Sequence, residues 1–336
     1  MVRARIPLLV AGLALVFAAP EALGGSFHGV VSQSKLGVQD YERMGDGNAG
    51  TLRVRVSWAR LEPQRGQREW TWLDRVVTRA GEQGVRVLPS LHGPGPSGIA
   101  TPPTRPRARR AFARFSGAVA ARYGPGGAIP AGGRPIAGLQ IWNEQNGRTY
   151  WGAKPNPRKY GKLLKAAASQ MRKADPRVEV ILGGMFGTPS GRGAITSWGY
   201  LKRLYAVPGV KRAFDTVAVH PYSPNLFGVK YQVRAMRKVM RRNGDGSARI
   251  RITEFGWGSK KGGNPLNKGT RGQARMLRKA FRLFERRRGG WRLSGANWFA
   301  WRNSPRGGCA FCPTAGLFTA DRSPKPSWNA FKQVAR

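Results

Sequence analysis

The segments Asp215-Thr216-Val217-Ala218-Val219-His220, Val229 to Arg242 and Ile250-Arg251-Ile252-Thr253-Glu254 decide how this chain is read. The first and third are short apolar runs, which predict strands. The second is long, basic and helical in pattern. Strand, helix and strand in that order form a βαβ unit, whose two strands run parallel.

The same rhythm extends in both directions. Strands are expected at Phe27 to Gln33, Thr51 to Trp58, Val85 to Leu91, Ile136 to Trp142, Val178 to Met185 and Gly295 to Trp301. In the second of these, Leu52, Val54 and Val56 alternate with Arg53, Arg55 and Ser57. Helices are expected at Val38 to Met44, Trp70 to Gly81, Arg107 to Arg122, Pro157 to Lys173, Ser197 to Ala206, Arg271 to Arg288 and Pro326 to Val334. Ala274, Leu277, Phe281 and Phe284 form an apolar stripe on one of them. Eight strand–helix units predict a single-domain (β/α)8 barrel over residues 25–336. A doubly wound open sheet would require a glycine-rich phosphate loop after an early strand, and none of the standard form is present.

The 336 residues include 59 Lys or Arg against 16 Asp or Glu, a formal charge of +43. That field attracts anionic polymers but does not specify chemistry. No helix-turn-helix, zinc or aromatic ribonucleoprotein motif accompanies it, so specific nucleic-acid binding is not expected. Electrostatic adhesion to anionic cell-surface polymers is the expected consequence.

Arg3 and Arg5, the apolar run Ile6 to Ala19 and the small-residue pattern Ala22-Leu23-Gly24 read as a secretory signal over residues 1–24. An uncleaved anchor is the alternative. No later segment is apolar and long enough to span a membrane. Cleavage predicts a secreted or extracytoplasmic protein. Cys309 and Cys312 stand in a Gly/Pro-rich loop, where a loop-stiffening disulfide is expected in preference to a redox pair.

In a barrel, functional side chains sit where strands end. Only two acidic residues end an expected strand cleanly: Glu144, in Trp142-Asn143-Glu144-Gln145-Asn146, and Glu254, in Thr253-Glu254-Phe255-Gly256-Trp257. They close strands four and seven, on opposite sides of the ring. Paired carboxyl groups of this kind suit glycoside hydrolysis. Trp58, Trp142, Trp257 and Trp301 lie at or just beyond strand ends, where indoles either stack on sugar faces or pack the core.

These motifs resemble the retaining (β/α)8 glycoside hydrolases, most nearly families 5 and 39. Trp142-Asn143-Glu144 and Thr253-Glu254-Phe255-Gly256 are similar to the clan's signatures, and so are the strand-two segment around Arg53, Leu91-His92-Gly93 and His220-Pro221-Tyr222. The resemblance implies that Glu144 is the general acid/base and Glu254 the nucleophile. It further implies that Asn143 binds the substrate's 2-hydroxyl, and that Tyr222 and Arg53 hold Glu254. His92 and His220 would position the sugar, with Trp257 and Trp301 among the binding residues and Trp301 as its platform. Arg55 departs from the family pattern, and two inward arginines on one strand leave open which one meets the nucleophile.

The expected function is therefore a secreted, β-specific, retaining glycosidase acting on a polysaccharide or other glycan. A catalytically silent, basic carbohydrate-binding barrel is the alternative. His28, His92 and His220 are scattered, with no metal-ligand spacing, so no metal or cofactor is expected. Arg105, Arg107, Lys260, Lys261, Lys268 and Arg306, on loops after strands, are candidate cations at the cleft rim for anionic glycans.

Overall fold

The computed structural model describes residues 27–96, 99, 101–152, 154–305 and 308–336. The expected signal segment and Arg306 lie outside the described residues. Eight parallel strands close into a barrel in sequence order. They are β1 (His28–Ser32), β2 (Thr51–Val56), β3 (Arg86–Leu91), β4 (Leu139–Asn143), β5 (Val180–Phe186), β6 (Thr216–His220), β7 (Arg249–Phe255) and β8 (Leu293–Phe299). Each is nearly continuous in burial, because the barrel interior covers one face of a strand and the helices cover the other.

The outer ring contains α1 (Val38–Asp46), α2 (Trp58–Leu61), α3 (Thr71–Glu82), α4 (Pro106–Tyr123), α5 (Arg148–Trp151), α6 (Pro157–Ala174), α7 (Ser197–Tyr205), α8 (Leu226–Arg242), α9 (Gly269–Arg286), α10 (Arg288–Trp291) and α11 (Pro326–Val334). The long helices are amphipathic. On α9, Ala274, Leu277, Phe281 and Phe284 are buried while Arg275, Arg278 and Arg282 lie between them on the outer side. The basic excess is thus tolerated where water screens it. Pro at the first turn of α4, α6 and α11 fits a position that needs no backbone donor. No helix among the described residues is long and apolar enough to cross a membrane.

The loop after β8 is tied down by side chains. The segment after β8 contains the Cys309–Cys312 disulfide, and the buried Lys325 ammonium donates to Asn303 Oδ1 (3.2 Å) and to the carbonyls of Thr314 (3.0 Å) and Gly316 (2.6 Å). Three acceptors match its three N–H groups. At the mouth of β5, Gly184 lies so close to the neighbouring strand that a Cβ there would be 2.1 Å from His220 Nε2. Gly184→Ala is therefore expected to cost about 1–3 kcal/mol by overpacking. Gly289→Ala on exposed α10, where a Cβ meets nothing within 4 Å, should be neutral or slightly stabilising. Urea denaturation of the two variants measures the difference.

Candidate active site

Arg53 organises the barrel mouth. Its position on β2 points it into the barrel, and its guanidinium reaches three other strands. Nη1 donates to Glu254 Oε1 at 2.5 Å, Nε to Gln140 Oε1 at 2.7 Å, and Nη2 to Asn143 Oδ1 at 2.8 Å and Ser90 Oγ at 3.2 Å. Arg53 and Glu254 are 4% and 8% exposed, so the pair forms in a desolvated setting where each charge needs the other. Because Arg53 needs an acceptor from Asn143, the amide oxygen faces the guanidinium, which leaves the Asn143 amide nitrogen to face elsewhere as a donor.

Gln140 and Asn143 both touch Arg53, although residues three apart fall on opposite faces of a regular strand. The backbone resolves this. Trp142 has φ +74° and Glu144 has φ +44°, left-handed conformations that cost non-glycine residues about 1–3 kcal/mol each. The turn after β4 holds them in place. Glu144 N donates to Gly184 O, Gln145 Nε2 to Gly183 O, and Asn146 Nδ2 to the carbonyls of Phe186 and Ile195. Gln145 and Asn146 thus lock the turn that aims Glu144. On β7 a register shift between Ile252 and Phe255 has a similar effect: Thr253 and Glu254 are neighbours in sequence, and both contact interior groups.

Glu144 and Glu254 face each other across His220. His220 Nδ1 is 2.8 Å from Glu144 Oε1 and 3.7 Å from Glu254 Oε2, while its Nε2 is 3.0 Å from Thr253 Oγ1. An oxygen of each carboxyl group and a His220 nitrogen lie within 4.8 Å of one another. Burial raises the Glu144 carboxyl above the usual 4.5; His220 and Arg53 oppose that rise and the Glu254 charge reinforces it. Burial pushes Glu254 the same way, but His220, Arg53 and the hydrogen bonds from Tyr222 and Arg53 outweigh it, and its carboxyl falls below 4.5. Tyr222 Oη donates to Glu254 Oε2 at 2.9 Å, and burial beside two carboxylates keeps the phenol protonated far above its usual range.

Glu144, His220 and Glu254 also have the composition of a metal site. Their surroundings fit acid–base work better. Both oxygens of Glu254 already accept hydrogen bonds, and Arg53 already supplies its countercharge.

His92 packs edge-on to Tyr150, and its Nδ1 lies 3.0 Å from the Ser90 carbonyl. Burial and the charges of Arg53 and Arg55 hold its pKa well below 6.5, so it is neutral. Asn143, Arg53, His92, Glu254 and Tyr150 line a cleft of about 410 Å³. Tyr150, Gln140, Ser90 and Thr253 were not anticipated. Tyr150 is on a four-residue helix too short for any periodicity signal.

Two expected binding residues are corrected. Trp257 and Trp301 are 1% and 0% exposed, with no ring face open to a sugar. Trp257 Nε1 donates to Ser223 O, and Trp301 Nε1 donates to Asp40 Oδ1 while its ring packs on Phe318 and Trp328. β8 ends at Phe299, so Trp301 lies past the strand and turns into the outer core. Trp58 and Trp142 are likewise buried. Of the expected rim cations, Arg105 and Arg107 line a separate cavity of about 430 Å³ with Arg65.

The fold and its mouth define the class: a closed (β/α)8 barrel with two carboxyl groups and a histidine gathered where its strands end. A family model described as Glyco_hydro_42, Beta-galactosidase, matches residues 33–104. No curated protein matches the chain. Among solved structures, a family 39 glycoside hydrolase from Bacteroides cellulosilyticus is similar over 92% of this chain and 63% of its own, with a TM-score of 0.69 and 20% identity. An exo-β-1,4-mannosidase from an Opitutaceae bacterium gives 0.66 and 15%, covering 93% of this chain and 59% of its own. A monomeric β-xylosidase from Caulobacter crescentus gives 0.65 and 17%, covering 92% and 67%. This chain therefore spans less than two thirds of the first two. The likeness is one of fold.

Arg53→Met leaves Glu254 buried without its countercharge and should destabilise the fold by about 3–5 kcal/mol. Adding Glu254→Gln should recover most of that loss. The folded Glu254 pKa is lowered, so its contribution is present above its unfolded value of about 4.3 and is lost as pH falls through the folded value. Urea titrations between pH 3 and pH 7 should show that acid-sensitive component in the parent and not in Arg53→Met.

Proposed function

We propose that the protein is an exported retaining β-glycosidase that cleaves glycans by double displacement. The observation that carries this reading is the paired carboxyl groups, with oxygens within 4.8 Å and acidities driven apart by their surroundings. That spacing suits a retaining pair, for which about 5–5.5 Å is usual, and leaves little room for the water of an inverting enzyme. A silent binding barrel gains nothing from such a split. The N-terminal sequence supports export.

In this scheme Glu254 attacks the anomeric carbon while Glu144 gives its proton to the departing oxygen. The glycosyl–Glu254 ester then yields to a water whose proton returns to Glu144. Arg53 and Tyr222 keep Glu254 charged and in line. The free amide N–H of Asn143 donates to the 2-hydroxyl, a contact that strengthens as the ring becomes oxocarbenium-like. His220 stands between the two glutamates, held on its other side by Thr253.

Glu254→Gln should lower kcat with aryl β-glycosides by at least about 10⁴-fold, and a 2-fluoro glycoside should label Glu254, as read by peptide mass. Inversion of product configuration, read by NMR, would overturn the scheme. Because the folded pKa of Glu254 is lowered and that of Glu144 raised, kcat/KM should rise with pH as Glu254 ionises below 4.5 and fall as Glu144 loses its proton above 4.5. With an activated leaving group, Glu144→Gln should remove the alkaline limb only.

A further inference from the structure

Arg55 stands apart from every other arginine of the barrel mouth. It comes two residues after Arg53 on β2, so both project to the same side, one pleat apart or about 6.6 Å along the strand. Arg53 is 4% exposed and has four hydrogen bonds, whereas Arg55 is exposed, lines the same cleft as Glu254, His92 and Tyr150, and makes no ion pair or hydrogen bond with any described residue. Gly93, at φ +112°, makes room for it: a Cβ there would press to 3.0 Å from Arg55 Nη2.

The charge balance of the cleft leaves Arg55 uncompensated. Glu254 is countered by Arg53 at 2.5 Å, Glu144 has His220 at 2.8 Å, and the Tyr222 hydroxyl donates to Glu254. His92 is neutral, so it neither repels nor replaces the cation. A guanidinium facing a concave site with no carboxylate bonded to it is a site waiting for an anion, and its planar fork matches an oxyanion. The rim lysines considered from sequence do not fill this role, since neither Lys260 nor Lys261 lines the cleft.

We infer that Arg55 is a specificity-determining residue that binds an anionic substituent, a carboxylate or sulfate, on the sugar seated against Glu254. The inference rests on the glycosidase reading and narrows its substrate to acidic glycans. Uronic acids and sulfated sugars present the same oxyanion chemistry, so the test contains both.

Aryl β-glucuronide, β-galacturonide and 6-sulfated β-glucoside are compared with their neutral counterparts for the parent, Arg55→Met and Arg55→Lys. The parent should prefer an acidic member in kcat/KM, and this preference should fall roughly 10- to 100-fold in Arg55→Met. Arg55→Lys should restore part of it, and added salt should weaken it. Whether the carboxylate or the sulfate member leads identifies the source of the anion. Equal rates on neutral and acidic members, or a preference unchanged in Arg55→Met, would overturn the inference. If the parent turns over none of the glycosides, the glycosidase reading fails separately. Calorimetry with free glucuronate, glucose 6-sulfate and glucose then decides Arg55: acid-selective binding lost in Arg55→Met upholds it, and absence of selective binding overturns it. Thermal melting confirms that each variant is folded.

Discussion

The ion pair between Arg53 and Glu254 is the constraint on which the mouth of this barrel depends. Two charges withdrawn from water are tolerable only when each satisfies the other and the remaining donors find acceptors. Arg53 meets that demand by drawing in Gln140, Asn143 and Ser90, so that one guanidinium fixes side chains from β3, β4 and β7. The orientation of the Asn143 amide and the ionisation of Glu254 both depend on it. A second arginine, Arg251, lies inside the barrel with Thr51 Oγ1 as hydrogen-bond partner at 3.0 Å, and burial pushes its pKa down to about 10. An arginine-rich chain has placed the residue even in its core.

The two carboxyl groups differ because their neighbours differ. Both are desolvated, which alone would raise both. Glu254 has a guanidinium, a phenol and an imidazole directed at it, and Glu144 has only the imidazole at hydrogen-bond distance. The strained turn at Trp142 and Glu144 belongs to the same arrangement. Left-handed backbone at Trp142 and Glu144 persists because Gln145 and Asn146 anchor the chain to β5 immediately after Glu144.

The excess charge separates into two populations. Most of it coats outer helices such as α9, where it is solvated and screened. A small part faces the cleft, and there Arg53 and Arg55 take opposite roles from adjacent inward positions on one strand. Parity made them look alike in sequence. Depth distinguishes them: the lower one is buried against Glu254 and the upper one is open to ligand.

The barrel was legible in the sequence because strand and helix alternation reports burial on alternate layers, and that pattern needs no long-range information. Glu144 and Glu254 were legible because few acidic residues exist and only these two closed strands. The stripe on α9 was equally plain. The four tryptophans at strand ends were not, since an indole at a strand end has the same sequence signature whether it faces sugar or core. Trp301 turns outward because β8 stops at Phe299, and no local pattern encodes that. Gln140 and Tyr150 were hidden for a related reason, one on a strand whose backbone turns left-handed at Trp142 and the other on a single helical turn. Sequence by itself determined the order of layers and the two carboxylates, through periodicity and scarcity. Only tertiary structure decided their acidities and the division between Arg53 and Arg55, because both depend on which groups from distant strands share a desolvated space.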